Sequence, residues 1–413
     1  MKTQDFITRE NQVCAQTYTP LPVVLHKGKG VWVWDVEGNK YIDMMTAYSA
    51  VSFGHANERL VNVLTQQAQT LSLTSRAFYT DRLAPLLEKL CAMSGFDMGI
   101  IMNTGAEAVE TAVKVARRWG YEVKGIPSNQ AEIIVAQNNF HGRTTTIISF
   151  STEAEYQRDF GPLTPGFKAI PFGDAKALEQ AITPNTAAFL VEPIQGETGI
   201  ITPHPGYLKE VRRICTENNV LLLLDEVQSG LGRTGKLFAY QHEGIIPDGI
   251  MIAKALGGGL LPISAFLSQR DILSLMGPGS HGSTFGGNPL AATVALEALS
   301  MLEEGLIANA ATLGVYMNER LQNIKSPLIK EVRGLGFWYG VEFNKEFVSA
   351  REVCERMLTK GVLTKDTHKT VVRFAPPLII TKEELDYGLN GFEEAIRELE
   401  DEKLGGFNQA SRE

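Results

Sequence analysis

Five apolar runs of four or five residues recur between positions 99 and 253, at 99–102, 133–136, 188–191, 220–224 and 250–253, and each stops at polar residues. Runs this short and this continuous read as strands buried on both faces. Helical stretches lie between several of them. Val109, Ala112, Val113 and Ala116, for example, recur at the spacing of one helix face. Strands alternating with helices imply a mostly parallel central sheet covered by helices, so the fold class is α/β. In such a sheet, ligands collect beyond the carboxyl ends of the strands.

The texture changes on either side of this region. Residues 31–35 and 37–43 read as a hairpin turning at Gly38. After about residue 304 a long helix (306–324) precedes a strand (336–343), a helix (350–360), a strand (371–374) and a charged closing helix. We therefore expect three parts: an N-terminal segment, 1–57, packing with a small domain; a large domain, 58–303; and a smaller α/β domain, 304–413, frayed from 404 onward.

Composition removes several function classes. The net charge of −8 disfavours nucleic acid and anionic membranes, which attract concentrated basic surfaces. No stretch approaches the ~18 apolar residues of a membrane span. Cys14, Cys91, Cys215 and Cys354 form no CxxC pair, so no metal site is expected and free thiols in a reducing compartment fit best. The first eleven residues carry acids and no apolar run, unlike a signal peptide. A cytoplasmic protein is expected.

Three strand ends carry chemistry. Asn103-Thr104-Gly105-Ala106 opens a helix whose free N–H groups would favour a phosphate, although Thr104 and Glu107 also make an ordinary capping box. Asp225 ends a run of leucines. A carboxylate there needs a partner, such as a cationic ring nitrogen, or else caps the next turn. Lys254 stands between an apolar strand and Gly257-Gly258-Gly259. A desolvated lysine is a nucleophile, and the glycines would clear room beside it for a flat ligand. The plainer alternative is a surface lysine before a flexible loop. Residues 230–235 match GxGxxG literally, but they lie mid-chain and away from a first strand–helix unit. The same stretch fails as a P-loop because Leu237 stands where Ser or Thr must bind magnesium.

Taken together, Asp225, Gln228 and Lys254, with 103–106 upstream and Gly282-Ser283-Thr284-Phe285-Gly286-Gly287-Asn288-Pro289 downstream, resemble the class III aminotransferases of pyridoxal 5'-phosphate (PLP) fold type I. The resemblance runs from about Tyr18 to Leu399, and 223–235 with Pro247-Asp248 carries the class signature. Within the class, 48–51, 74–79, 192–197, 281–284 and 373–377 resemble members acting on ornithine.

The resemblance implies roles. Lys254 would hold PLP covalently and shuttle the proton. Asp225 would pair with the ring nitrogen, Gln228 with the ring hydroxyl, and Phe140 would stack on the ring. Gly105 and Ala106 amides would hold the phosphate, joined by Thr284 from a second subunit, so a homodimer or higher homo-oligomer with shared sites is implied. On the substrate side, Arg143 would clamp the α-carboxylate of L-ornithine, with Tyr18 and Tyr48 contacting that end. 2-Oxoglutarate, which leaves as L-glutamate, would use Arg143 and Arg373, and Glu197 would neutralise Arg373 in the ornithine half-reaction. A permanent Glu197–Arg373 salt bridge is the simpler alternative. Rival readings are a 4-aminobutyrate or N-acetylornithine aminotransferase, an aminomutase, and a nucleotide-binding protein using 230–236.

Overall fold

The computed structural model describes residues 2–410. Its centre is a seven-stranded sheet. From one edge the strands are Met98–Met102, Ser264–Ser268, Gly249–Ile252, Leu221–Asp225, Thr186–Val191, Glu132–Ala136 and Phe167–Ile170. All pairings are parallel except those of Ser264–Ser268, which runs antiparallel to both neighbours. Every residue of Thr186–Val191 and Leu221–Asp225 is buried, as continuous apolar runs require. Burying each such leucine or valine contributes roughly 1.5–3 kcal/mol.

One face of the sheet is covered by the helix Gly105–Glu122, which buries Val109, Ala112, Val113 and Ala116. Helices such as Ala175–Ala181, Tyr207–Glu217 and Pro289–Met301 join the larger apolar cluster. The α/β class with a mostly parallel, helix-covered sheet is thus the observed one.

Two four-stranded sheets flank this centre. Leu25–Lys29, Trp32–Asp35 and Lys40–Asp43 form an antiparallel meander, turning at Gly38 with φ +90°, and Val362–Leu363 adds to it in parallel. The N-terminal segment therefore shares a sheet with residues from the C-terminal third. Ile329–Leu335, Trp338–Phe343, Val371–Phe374 and Asp366–Thr367 form the other sheet, all antiparallel.

Some expectations change. The helix Thr3–Val13 has no counterpart in the sequence reading; it buries no residue, so it leaves no periodic apolar trace. The closing helix runs Lys382–Ala410 instead of fraying at 404, and 411–413 lie outside the described residues. The expected helix 306–324 is Ile307–Asn323, which follows Pro289–Met301 through a wide turn at Leu302–Leu306.

Candidate active site

Beyond the carboxyl ends of the central strands lies a cavity of about 520 Å³. Gly105, Ala106, Phe140, Asp225, Gln228 and Lys254 all line it, although they come from four strand ends and one downstream turn. Of the sequence candidates, Thr284, Tyr18, Arg143, Glu197, Arg373 and Tyr48 do not line it. Glu197 and Arg373 nonetheless lie within electrostatic reach of Lys254, and Tyr48 lies within reach of both.

Lys254 follows the strand Gly249–Ile252 and has φ +46°, a left-handed conformation rare for a side-chain-bearing residue and typical of strained sites. Burial lowers its pKa, opposed by the Glu197 and Asp225 carboxylates. That is the direction an amine nucleophile needs. The side chain is half-buried and lines the cavity, unlike a surface lysine before a flexible loop. The neighbouring glycines do not all clear the cavity, as the sequence suggested. A Cβ on Gly258 (φ +62°) would stand 2.9 Å from Val294 Cγ1 and 3.0 Å from Leu60 Cδ1, so that glycine serves close packing on two helices. Only Gly259 of the three borders the cavity.

Asp225 is buried, and both of its oxygens are used. Oδ1 accepts the Val227 N–H at 3.0 Å, the turn-capping role the sequence left open. Oδ2 lies 2.6 Å from His141 Nδ1. His141, unassigned in the sequence, is itself buried, and its Nε2 has no hydrogen-bond partner among the described residues. Burial disfavours the imidazolium, but the Asp225 hydrogen bond and charge win, and the pKa is raised. Its position beside Phe140 was the only sequence signal. Glu192, given no role in the sequence, directly follows the strand Thr186–Val191. It lines the cavity and accepts the Phe140 N–H at 3.1 Å; burial pushes its pKa up to about 7.

At Thr104 both readings coexist. Thr104 Oγ1 accepts the Glu107 N–H at 3.1 Å, while a Glu107 oxygen accepts the Thr104 N–H at 2.7 Å. The capping box leaves the N–H groups of Gly105 and Ala106 at the helix start beside the cavity, where the dipole favours an anion. Gly105 faces Val227 so closely that a Cβ would lie 3.1 Å from its Cγ1. Gln228 sits against Gly196, where a Cβ would collide with its Oε1. The 192–197 and 225–228 segments thus interlock.

The outer cluster is built from three parts of the chain. Arg373 lies on the strand Val371–Phe374 and is 4% exposed. Its Nη1 donates to Glu197 Oε1 at 2.8 Å, and its guanidinium lies 4.7 Å from the Tyr48 ring centroid. Burial raises the Tyr48 phenol pKa, against the Arg373 cation. Tyr48 belongs to a turn, Thr46–Ser49, in which all four φ values are positive. Tyr18 is 76% exposed and near enough to Tyr48 to affect its titration. Arg143 is exposed and stacked 3.7 Å over the ring of Tyr156, a residue the sequence did not flag. Thr284 is exposed, beside Ser283, whose Oγ accepts from Asn103 Nδ2 at 2.8 Å.

Residues 13–396 match the aminotransferase class-III family. This chain belongs to that family. It is similar to the ornithine aminotransferase of a Geobacillus species (strain WCH70), with 56% identity over 389 residues, 94% of this chain and 97% of the relative. Among solved structures it is similar to the ornithine aminotransferase of Toxoplasma gondii, seen with PLP at partial occupancy in its active site. There the TM-score is 0.96 at 44% identity, covering 97% of this chain and 96% of the other. The acetylornithine aminotransferase of Elizabethkingia anophelis is also similar, with TM-score 0.88, 44% identity, and 96% and 100% covered. Membership makes the cavity of this class III aminotransferase the place to look for a cofactor and an amino donor.

Proposed function

We propose that this class III aminotransferase is an ornithine δ-aminotransferase with PLP as cofactor. It moves the δ-amine of L-ornithine to 2-oxoglutarate, giving L-glutamate and glutamate 5-semialdehyde, which closes to pyrroline-5-carboxylate. The observation that carries the reading is the Tyr48–Arg373–Glu197 cluster beside the Lys254–Asp225 cavity.

The donor set fits PLP. A buried carboxylate, an amine of lowered pKa, an aromatic face and the start of a helix surround one cavity large enough for a flat ring and a phosphate. When bound, the cofactor supplies an electron-poor ring that stabilises negative charge on the carbon bearing the amine. The chain supplies the rest. Asp225, backed by His141, holds a proton on the ring nitrogen. Gln228 would bind the ring hydroxyl, Phe140 would cover one face, and the amides of Gly105 and Ala106 would bind the phosphate. Lys254 Nζ would anchor the cofactor, and would take the proton from the carbon bearing the amine and return it on the cofactor side, so that no net proton stays on Nζ.

Specificity belongs to the outer cluster. While Glu197 neutralises Arg373, the inner carboxylate site is closed to the α-carboxylate of ornithine, and Arg143 with Tyr18 and Tyr48 takes that end. When 2-oxoglutarate enters, Glu197 yields Arg373 to its inner carboxylate, and Arg143 takes the outer one. The Tyr48 and Tyr18 hydroxyls favour a free α-amino group over an acylated one, which separates this reading from N-acetylornithine.

Thr284 and its exposed neighbour Phe285 lie off the cavity of their own chain. This supports a homodimer in which Thr284 reaches the partner's phosphate site. The same reading divides the chain at 57 and 303. The four cysteines are unpaired, which suits the cytoplasm.

The test is a half-reaction titration. L-Ornithine alone, added to the loaded enzyme, bleaches the absorbance band of the protein-bound cofactor and yields pyrroline-5-carboxylate stoichiometrically. N-acetylornithine and 4-aminobutyrate do so far more slowly. Equal rates for all three would defeat the assignment.

A further inference from the structure

The glycine-rich stretch 230–236 is a joint between the central sheet and the C-terminal third. Gly235, at φ +84°, packs so tightly on the helix Ile307–Asn323 that a Cβ would lie 2.9 Å from Ala311 Cα. A Cβ on Gly336, across the joint, would lie 2.7 Å from Thr234 Cα. At the centre of this contact is Arg233, fully buried.

Its guanidinium is held by neutral oxygens. Nη1 donates to the carbonyls of Phe337 (3.1 Å) and Pro376 (2.6 Å), and Nη2 to Ser52 Oγ (2.8 Å). Among the described residues no carboxylate forms an ion pair with it; Asp43 acts only at longer range. Burial lowers its pKa to about 9. A cation buried without a carboxylate is a costly filler, and an apolar side chain would stabilise the joint more. What the planar fork adds is fixed direction towards three acceptors at once.

Two of the three acceptors lead to the substrate end of the site. Ser52 Oγ donates onward to the Ser49 carbonyl at 2.8 Å, the last residue of the left-handed turn that carries Tyr48. Pro376 lies three residues beyond Arg373. Between them, the Ala375 carbonyl accepts Thr46 Oγ1 at 2.7 Å, and the Ala375 N–H donates to the Met44 carbonyl at 2.7 Å. The segments holding Tyr48 and Arg373 are therefore laced to each other and both tied to Arg233.

We propose that Arg233 is a positioning residue for carboxylate recognition: from the glycine-rich joint it fixes the Tyr48 turn and the Arg373 strand end in register, without touching substrate or cofactor. This rests on the ornithine δ-aminotransferase reading of the outer cluster.

The test uses the loaded enzyme, its Arg233→Lys and Ser52→Ala variants, and the double variant. Lysine keeps the charge and loses the fork. Glutarate, a non-reacting dicarboxylate, is the binding probe, measured by calorimetry. Arg233→Lys is expected to weaken glutarate and raise the KM for 2-oxoglutarate by about tenfold or more, with PLP affinity and spectrum unchanged within about twofold. Ser52→Ala shifts the same quantities in the same direction by about threefold, and the two changes combine less than additively in free energy. Unchanged glutarate binding in Ser52→Ala and Arg233→Lys overturns the proposal, as does a uniform loss of PLP and glutarate affinity. If Arg233→Lys fails to fold, unchanged glutarate binding in Ser52→Ala alone overturns it. A wild-type enzyme that binds glutarate but takes no amine from ornithine defeats the substrate reading instead, and leaves Arg233 to be decided by the glutarate arm.

Discussion

Replacing Glu197 with Ala tests the gate directly. In the resting structure the carboxylate sits 2.8 Å from Arg373 Nη1, with side-chain exposures of 24% and 5%. Breaking a fully buried pair costs about 3–5 kcal/mol, and an exposed pair is worth about 0–1 kcal/mol. Glu197 is partly in solvent, so the Arg373 attraction that an incoming carboxylate must displace is about 1.5–3 kcal/mol. Removing the competitor returns this energy to ligand binding. At about 1.4 kcal/mol per factor of ten, kcat/KM for the L-glutamate half-reaction should rise roughly 10- to 100-fold.

The ornithine half-reaction should move the other way. A vacant Arg373 can take the α-carboxylate of ornithine and present its α-amine instead. The product then closes to pyrroline-2-carboxylate, distinguishable by NMR from the 5-carboxylate isomer. The assay is stopped-flow absorbance of the loaded enzyme with each amino acid alone. Glu197→Gln, of the same shape but neutral, serves as a second variant and should fall in the same direction. If both variants leave the ratio of the two half-reaction rates unchanged and yield only the 5-carboxylate, Glu197–Arg373 is a static salt bridge and the gate is wrong.

Three further outcomes are expected. Tyr48→Ile removes the phenol that packs on Arg373 and should raise activity on 4-aminobutyrate about tenfold or more while lowering that on ornithine; a substrate panel reads this out. Lys254→Ala should abolish turnover and leave PLP exchangeable on gel filtration, with no mass increment retained after borohydride reduction. Glu226 is buried, and burial pushes its pKa up from 4.5 to about 7, against the hydrogen bonds it accepts from Ser229 Oγ at 2.5 Å and the Tyr240 N–H at 3.0 Å. A carboxyl raised in the folded state contributes stability below pH ~4.5 that is lost as pH climbs through ~7, about 3 kcal/mol in all. Glu226→Gln should therefore flatten the fall in Tm between pH 5 and pH 8 relative to wild type, and parallel Tm curves would contradict this.

What the sequence revealed follows from burial. Strands covered on both faces must be apolar throughout, so Leu221–Asp225 and Gly249–Ile252 stood out, and the polar residues ending them marked the cavity. Phe167–Ile170 did not stand out, because it is an edge strand with two of its four residues exposed. Ser264–Ser268 is fully buried, but its two serines interrupt the apolar signal, and its antiparallel direction leaves no local trace. Tyr156 and Arg143 meet through the tertiary fold alone. The glycines at 257–259 misled. Their spacing suggested room for a ligand, yet Gly258 packs against side chains of two helices and only Gly259 borders the cavity. A missing side chain reads the same whether a ligand or another helix fills the space.

The turn Thr46–Ser49 shows the limit most clearly, and it matters most for specificity. Four consecutive residues with side chains hold φ between +46° and +75°, at a cost of roughly 1–2 kcal/mol each. Nothing in Thr-Ala-Tyr-Ser forecasts this, because the conformation is imposed from outside. Asp43 Oδ1 accepts the N–H groups of Met45 and Thr46 at 2.9 and 2.8 Å, and its Oδ2 lies 2.8 Å from His55 Nε2. Thr46 is tied to Ala375 and Ser49 to Ser52. So many restraints on four residues are more than chain reversal requires, since a glycine turn would reverse the chain without strain. They make sense if the position of the Tyr48 ring over Arg373 must be held to a fraction of an ångström. Substrate choice then depends on hydrogen bonds behind the site as much as on the side chains that meet the substrate.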